Sequence, residues 1–401
     1  MEITEVTTTK ISNESWGEFI EFPLVTIMSK FDEFNNADGI NPQARRKWMG
    51  PVGDVVVEIE TDAGYTGIGV GNWGSGAIAT VIDETLTKLI MGEDPLRREY
   101  LWEQMYRATT PFGRKGIAVM SISAVDQALW DIAGKEAGMP VYELLGGPTK
   151  HEIPAYASNL HPVDMSKLER EAIQYVEAGF DTMKLRFLHG PEGGRSGMDE
   201  NEEIVRTVRD TVGDDIDIAG DAYMGWSVKY AKRMTKRLEK YDMAWLEEPV
   251  IADDIDGYVE IRKAAPMPIS GGEHEFTRWG HERLLEQGAV DILQPDVGRV
   301  GGITELRKVA DMAEVHGVPV IPHAGTNPTL HVIAAHTNMP MAEYFPTPNW
   351  FEERDKQKDS TYADAIFENP PTPENGVIPL PDEPGLSTQL NHDALMHFSL
   401  G

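Results

Sequence analysis

At 401 residues, 41% of them hydrophobic, the chain is longer than one ordinary domain and can bury a large core. Thirty-six basic residues against 66 acidic ones leave a net charge of −30, so neither nucleic acid nor an anionic membrane is expected as a partner. There is no cysteine, hence no disulfide framework and no thiolate nucleophile or ligand. The acids are scattered (Glu2, Glu5, Asp214, Asp215, Asp253, Asp254), which predicts an all-round acidic surface of the kind suited to a high-salt cytoplasm, with an ordinary acidic enzyme as the alternative. The start, MEITEVTTTKISNESW, lacks both a basic and an apolar stretch, and no run approaches 18 apolar residues. The chain reads as soluble and cytoplasmic.

The first segment begins with a strand-like ITEVTTTKI and continues through a polar, aromatic stretch past Trp16, Phe31 and Trp48. DVVVEIETDAGYTGIGVG alternates as a hairpin with Asp62-Ala63-Gly64 at its turn. Gly69, Gly71 and Gly74 match GxGxxG, but the flanking strands read as antiparallel, which sets the match aside. Helical patterns follow. In the strongest, Ile122, Val125, Leu129 and Ile132 recur at helical spacing, with Gly138 and Pro140 at the end. Asp126 and Asp131 near that face read as buried structural carboxylates. Residues 1–130 are therefore expected to form an α+β capping domain.

Beyond this the rhythm becomes strand, helix, strand. Strands are expected at IPAYA (153–157), DTMKLRF (181–187), IDIAGD (216–221), AWLEEP (244–249), PISGGE (268–273), VDILQPD (290–296), PVIPHAG (319–325) and MAEYF (341–345). Eight strands with helices between them make an α/β fold, a modified (β/α)8 barrel over residues 131–348. Residues 349–401, rich in Pro, Asp and Glu, are expected to run back over the cap.

In such a barrel the C-terminal strand ends carry the chemistry. Here they are Lys184 and Arg186, Asp221, Glu247, Glu273, Asp296, His323 and Glu343. Asp221, Glu247 and Glu273 follow one another at intervals of 26 residues, the pitch of one strand plus one helix. Each alone could be a helix-capping acid. Three converging carboxylates repel unless a cation lies between them, and an oxygen-only set suits a hard ion such as Mg²⁺. Asp296 and His323 lie on successive strands, where a carboxylate fixes the tautomer of an imidazole and raises its basicity. His331 and His336 read as helix-face histidines, and both HExxH candidates fail, with Arg278 and Leu285 where the second His would stand.

The motifs WLEEP, GGEHE, QPDVGRVGGIT and IPHAG, with the equal spacings, resemble the mandelate racemase group of the enolase superfamily over nearly the whole chain. MSKF at 28–31, the LHGPEGGRSGM insert at 188–198, GEHE and QPDVGRVGG are similar to the L-rhamnonate dehydratase family within it. The resemblance implies Mg²⁺ on Asp221, Glu247 and Glu273, a catalytic Asp296–His323 dyad, and Glu343 beside the substrate carboxylate or enediolate. It also implies loss of water from an acid sugar, giving a 2-keto-3-deoxy acid, in a closed homo-oligomer. An α-proton is too weakly acidic for His323 unaided, so the ion must stabilise the charge that forms. Lys184 and Arg186 would face the carboxylate from the opposite side.

Racemases of the group carry a second Lys where Arg186 stands, and arginine cannot serve as a base, which favours one-base elimination. The L-rhamnonate family uses a histidine from the early loop; SWGEFIEFPLV has none, with Glu18 or Glu21 nearby. Arg45 or Arg46 is the candidate substrate-binding cation there, the alternative being a solvated RRK face; His189 or Arg195 of the insert is a further candidate contact. The remaining readings are an epimerase, a dehydratase of another aldonate or aldarate, and, in a different class, a sugar-binding scaffold without turnover.

Overall fold

The computed structural model describes residues 1–11, 24–34, 48, 53–160, 162, 164–346 and 366–400. Strand β1 (Ile3–Ile11) pairs antiparallel with β2 (Asp54–Thr61), which pairs antiparallel with β3 (Thr66–Gly71). Val55, Val56 and Val57 are all buried because both faces of this sheet are covered. Val55, Val57 and Ile59 face the helices of the cap, while Val56, Ile68 and Ile11 pack on Ile366, Leu390 and Leu395 of the C-terminal segment. The last residues return to β1, where the Leu400 amide bonds the Lys10 carbonyl.

Helices α1 (Ser75–Val81), α2 (Arg98–Thr109) and α3 (Ile117–Ala137) follow. A side chain at Gly69 would run into the backbone carbonyl of Ala124, so the glycines of β3 serve the close seat of α3 on the strand. The antiparallel pairing of β2 and β3 agrees with setting aside the GxGxxG match. Asp131 accepts from the Ile68 and Leu386 amides and Asp126 from the Thr304 amide, a structural role for both.

The barrel strands are β4 (Glu152–Leu160), β5 (Thr182–Arg186), β6 (Asp217–Asp221), β7 (Trp245–Glu247), β8 (Ile269–Gly271), β9 (Ile292–Leu293) and β10 (Ala342–Tyr344), paired in parallel. The eighth position, at 320–323, is held by bridges from Val320 to Leu293 and from His323 to Asp296. The Gly325 amide to the Glu343 carbonyl and the pairing of β10 with β4 close the circle. Strand β11 (Val377–Pro379) adds to β4 in antiparallel sense.

Outside run α4 (Met165–Glu177), α5 (Gly194–Val212), α6 (Val228–Leu238), α7 (Ile255–Ala264), α8 (Thr277–Glu286), α9 (Gly302–Val315) and α10 (Asn327–Ala335). Asp164, Ser227 and Asp254 cap α4, α6 and α7 by accepting amides of the first turn. The last five residues of the 188–198 insert form the first turn of α5, which begins at Gly194. Among the described residues no helix is long and apolar enough to cross a membrane.

Candidate active site

Register places the charged residues. Arg186 is paired with Asp221, and Asp221 with Glu247, on three adjacent parallel strands, so their side chains share one end of the barrel. Glu273 lies two residues beyond β8, after Gly272 at φ 123°. Asp296 and His323 are bridge partners across the last interval. Tyr223, Met224, Glu248 and Ala324, directly beyond Asp221, Glu247 and His323, all have positive φ. Such strain in non-glycine residues collects where the surrounding fold overrides local preference, commonly at functional sites.

Lys184 is fully buried between two carboxylates, ion-paired to Glu247 and 2.7 Å from Glu343 Oε1. Arg186 is ion-paired to Asp221. The second oxygen of Glu247 accepts from Gln294 Nε2 at 2.8 Å and Trp245 Nε1 at 3.1 Å. Glu343 accepts from Ser158 Oγ at 2.6 Å and from the Ala324 amide at 2.8 Å. His323 Nδ1 lies 2.7 Å from Asp296 Oδ2, and its Nε2 faces Glu273 at 3.8 Å. Arg299, one helical turn after Asp296, contacts Asp296 Oδ2 at 3.4 Å and Glu273 Oε1 at 3.1 Å, tying the imidazole pair to the carboxylates.

The electrostatics follow from burial and crowding. Burial raises the Glu247 carboxyl, as do the Asp221, Glu343 and Glu273 charges; Lys184 opposes them, and it settles at about 7. Burial would also raise Glu273, but His323, His274 and Arg299 hold it well below the usual carboxylate range. For His323 burial disfavours the charged ring, yet Glu273, Glu343 and Asp296 outweigh it and lift the imidazole to about 9. A strongly basic imidazole oriented by a carboxylate beside a set of buried acids is an arrangement for taking and returning a proton.

Asp221, Glu247 and Glu273 present oxygen donors only, all buried, at the ends of neighbouring strands. That donor chemistry fits a hard divalent ion. A different trio, Glu248, Glu273 and His274, brings its ligand atoms within 4.8 Å of one another. There both Glu248 oxygens lie 2.9 Å from His274 Nδ1, and the hydrogen bond itself accounts for the closeness.

Sequence reasoning missed Arg299, Gln294, Trp245, Ser158 and the Glu248–His274 pair. Arg299 carried a signal, three residues after Asp296 in QPDVGR, whereas Ser158 carried none. Arg45, Arg46, Glu18 and Glu21 lie outside the described residues. His189 Nε2 lies 2.8 Å from Glu200, and Arg195 lines a cleft on the outer helices, so the structure brings neither of them to the carboxylates.

A barrel whose C-terminal rim gathers carboxylates and a His–Asp pair, joined to an α+β cap, has the architecture of a barrel enzyme with its chemistry at the strand ends. Residues 167–394 match the enolase C-terminal domain-like family and residues 49–146 the N-terminal domain of mandelate racemase and muconate lactonizing enzyme. The chain belongs to the enolase superfamily, in its mandelate racemase group. It is 36% identical over 384 residues to an L-rhamnonate dehydratase of Saccharopolyspora erythraea, covering 94% of this chain and 92% of that one. It superposes on rhamnonate dehydratase from Gibberella zeae complexed with Mg with a TM-score of 0.85 at 30% identity, covering 98% of this chain and 95% of that one. A racemase from Streptomyces coelicolor with bound magnesium gives a TM-score of 0.81 at 27% identity, over 99% and 100% of the two chains.

Proposed function

We propose that this protein is a hydro-lyase that dehydrates an aldonate of the L-rhamnonate type to a 2-keto-3-deoxy acid. The observation that carries the reading is the His323–Asp296 pair at 2.7 Å beside buried carboxylates, one of which, Asp221, is ion-paired to an arginine that cannot act as a second base. Dehydratase relatives covering most of the chain support the same class of reaction. Asp221, Glu247 and Glu273 would hold Mg²⁺, which supplies positive charge beside the substrate carboxylate as that group gains electrons.

In this reading His323 acts in its neutral form, with the Nδ1 proton held by Asp296 and Nε2 open to take the α-proton. As the C–H bond breaks, its electrons move toward the substrate carboxylate. The same Nε2 then returns the proton to the departing 3-hydroxyl, which leaves as water, and the resulting enol becomes the keto acid. Lys184 and Arg186 keep a positive field opposite the imidazole, and Glu343, anchored by Ser158 and Lys184, lines the site.

The test is a panel of aldonates and aldarates including L-rhamnonate, with Mg²⁺, in low and molar salt. Keto acid is read as its semicarbazone. Product from one acid that vanishes with EDTA and with His323→Asn supports the proposal. Exchange of the α-proton without elimination replaces it with an epimerase, and no reaction of either kind removes it.

A further inference from the structure

The chain carries 66 acids for 36 bases, so a cation on its surface has abundant partners within reach. Against that background α6 and the residue pair after it are unusual. Lys229, Lys232, Arg233, Lys236, Arg237 and Lys240 lie within a dozen positions, with Glu239 the sole acid among them. Some are neutralised, Lys232 by Glu260, and Arg237 by Asp199 and Glu202. Arg233 and Lys236 have no ion pair or hydrogen bond among the described residues, nor has Arg195 on the facing helix α5. These three, with Asp199 and Arg237, line a cleft of 620 Å³ between α5 and α6.

We propose that this cleft binds a small oxyanion carrying two or more negative charges, a phosphate ester or a polycarboxylate. Its volume falls within the range of metabolite sites, roughly 300–1,000 Å³. Two guanidinium forks and an ammonium line it with no partner of their own among the described residues, while Asp199 is ion-paired to Arg237; guanidinium and ammonium are the groups that favour phosphate and carboxylate oxygens. Arg195 stands in the first turn of α5, where the helix field adds to its charge.

The cleft also has a route to the barrel rim. Asn201 on α5 accepts from the Leu188 and His189 amides and donates to the His189 carbonyl and to Tyr230 Oη on α6. Trp226 Nε1 donates to the same carbonyl. An anion that draws α5 and α6 together therefore braces the 187–193 segment, which leaves the end of β5 directly after Arg186. The site stands apart from the dehydration chemistry and does not depend on it.

The test is isothermal titration of the Mg²⁺-loaded protein in low salt with inorganic phosphate and, separately, tricarballylate. The same titrations follow on an Arg195→Gln/Arg233→Gln/Lys236→Gln variant and on Arg233→Gln alone. All three side chains are exposed and glutamine is a good helix former, so the fold is expected to persist, as a melting curve will show. Saturable binding at millimolar concentration or below, weakened at least about tenfold in the triple variant, is the expected result. Which probe binds tells phosphate from carboxylate recognition. No saturable binding of either probe, equal affinity in the variants, or a changed association state without anion binding overturns the proposal.

Discussion

Asp296→Asn isolates what the carboxylate does for His323. The amide keeps the size of the side chain, and its oxygen can still accept from the Gly298 amide, 2.6 Å from Oδ1 in the wild type. Lost are the charge that helps lift the imidazole to about 9 and the acceptor that fixes its Nδ1 proton at 2.7 Å. An amide nitrogen facing Nδ1 would favour the wrong tautomer, leaving Nε2 protonated and unable to take a proton. General acid–base contributions of this kind are worth about 10²- to 10⁴-fold, or about 3–5.5 kcal/mol of barrier. The expected outcome is a fall in kcat of that size with KM within about threefold, because Asp296 is held away from the substrate by His323. Steady-state kinetics on the substrate that the panel identifies decides it. Activity within tenfold of wild type would refute the dyad.

Lys184→Met removes a fully buried cation from between Glu247 and Glu343. The stranded carboxylates should cost about 3–5 kcal/mol, measured by urea unfolding of the metal-free protein, with recovery when Glu343→Gln is added. Asp126, buried and raised from 3.8 to about 7, favours its protonated form in the fold. That stability is present in full below about pH 4 and is lost as pH rises through 7, so Asp126→Asn should gain on wild type over this window. The gain should level off at no more than about 4 kcal/mol above pH 7, read from melting curves across pH. If the acidic surface is suited to high salt, molar KCl should raise the melting temperature well above its value in dilute buffer; a flat response marks an ordinary acidic enzyme.

The parts of this architecture legible in the sequence were those written as local period. The 26-residue step from Asp221 to Glu247 to Glu273 set three acids at the ends of neighbouring strands, and strand ends such as LQPD and IPHAG located Asp296 and His323. What escaped was set by packing between distant segments. The run Val55-Val56-Val57 reads as a plain strand, and only the C-terminal segment arriving on its second face explains why all three are buried. The 319–325 stretch looks like its neighbours, yet it touches β9 only through isolated bridges, and its chemistry rests on a single His. Ser158 meets Glu343 because β4 and β10 close the barrel, a contact between residues 185 positions apart that no local pattern encodes. Arg299 sat in a visible motif, but its link to Glu273 requires the barrel to be assembled.

Proton abstraction by His323 from an acid sugar can be followed by proton NMR in D₂O with Mg²⁺. Wild type and His323→Asn are followed side by side on the reactive substrate. Wild type should consume the α-proton signal as keto acid forms, while the variant leaves both substrate and signal intact. Loss of that signal at the wild-type rate in the variant would contradict abstraction by His323.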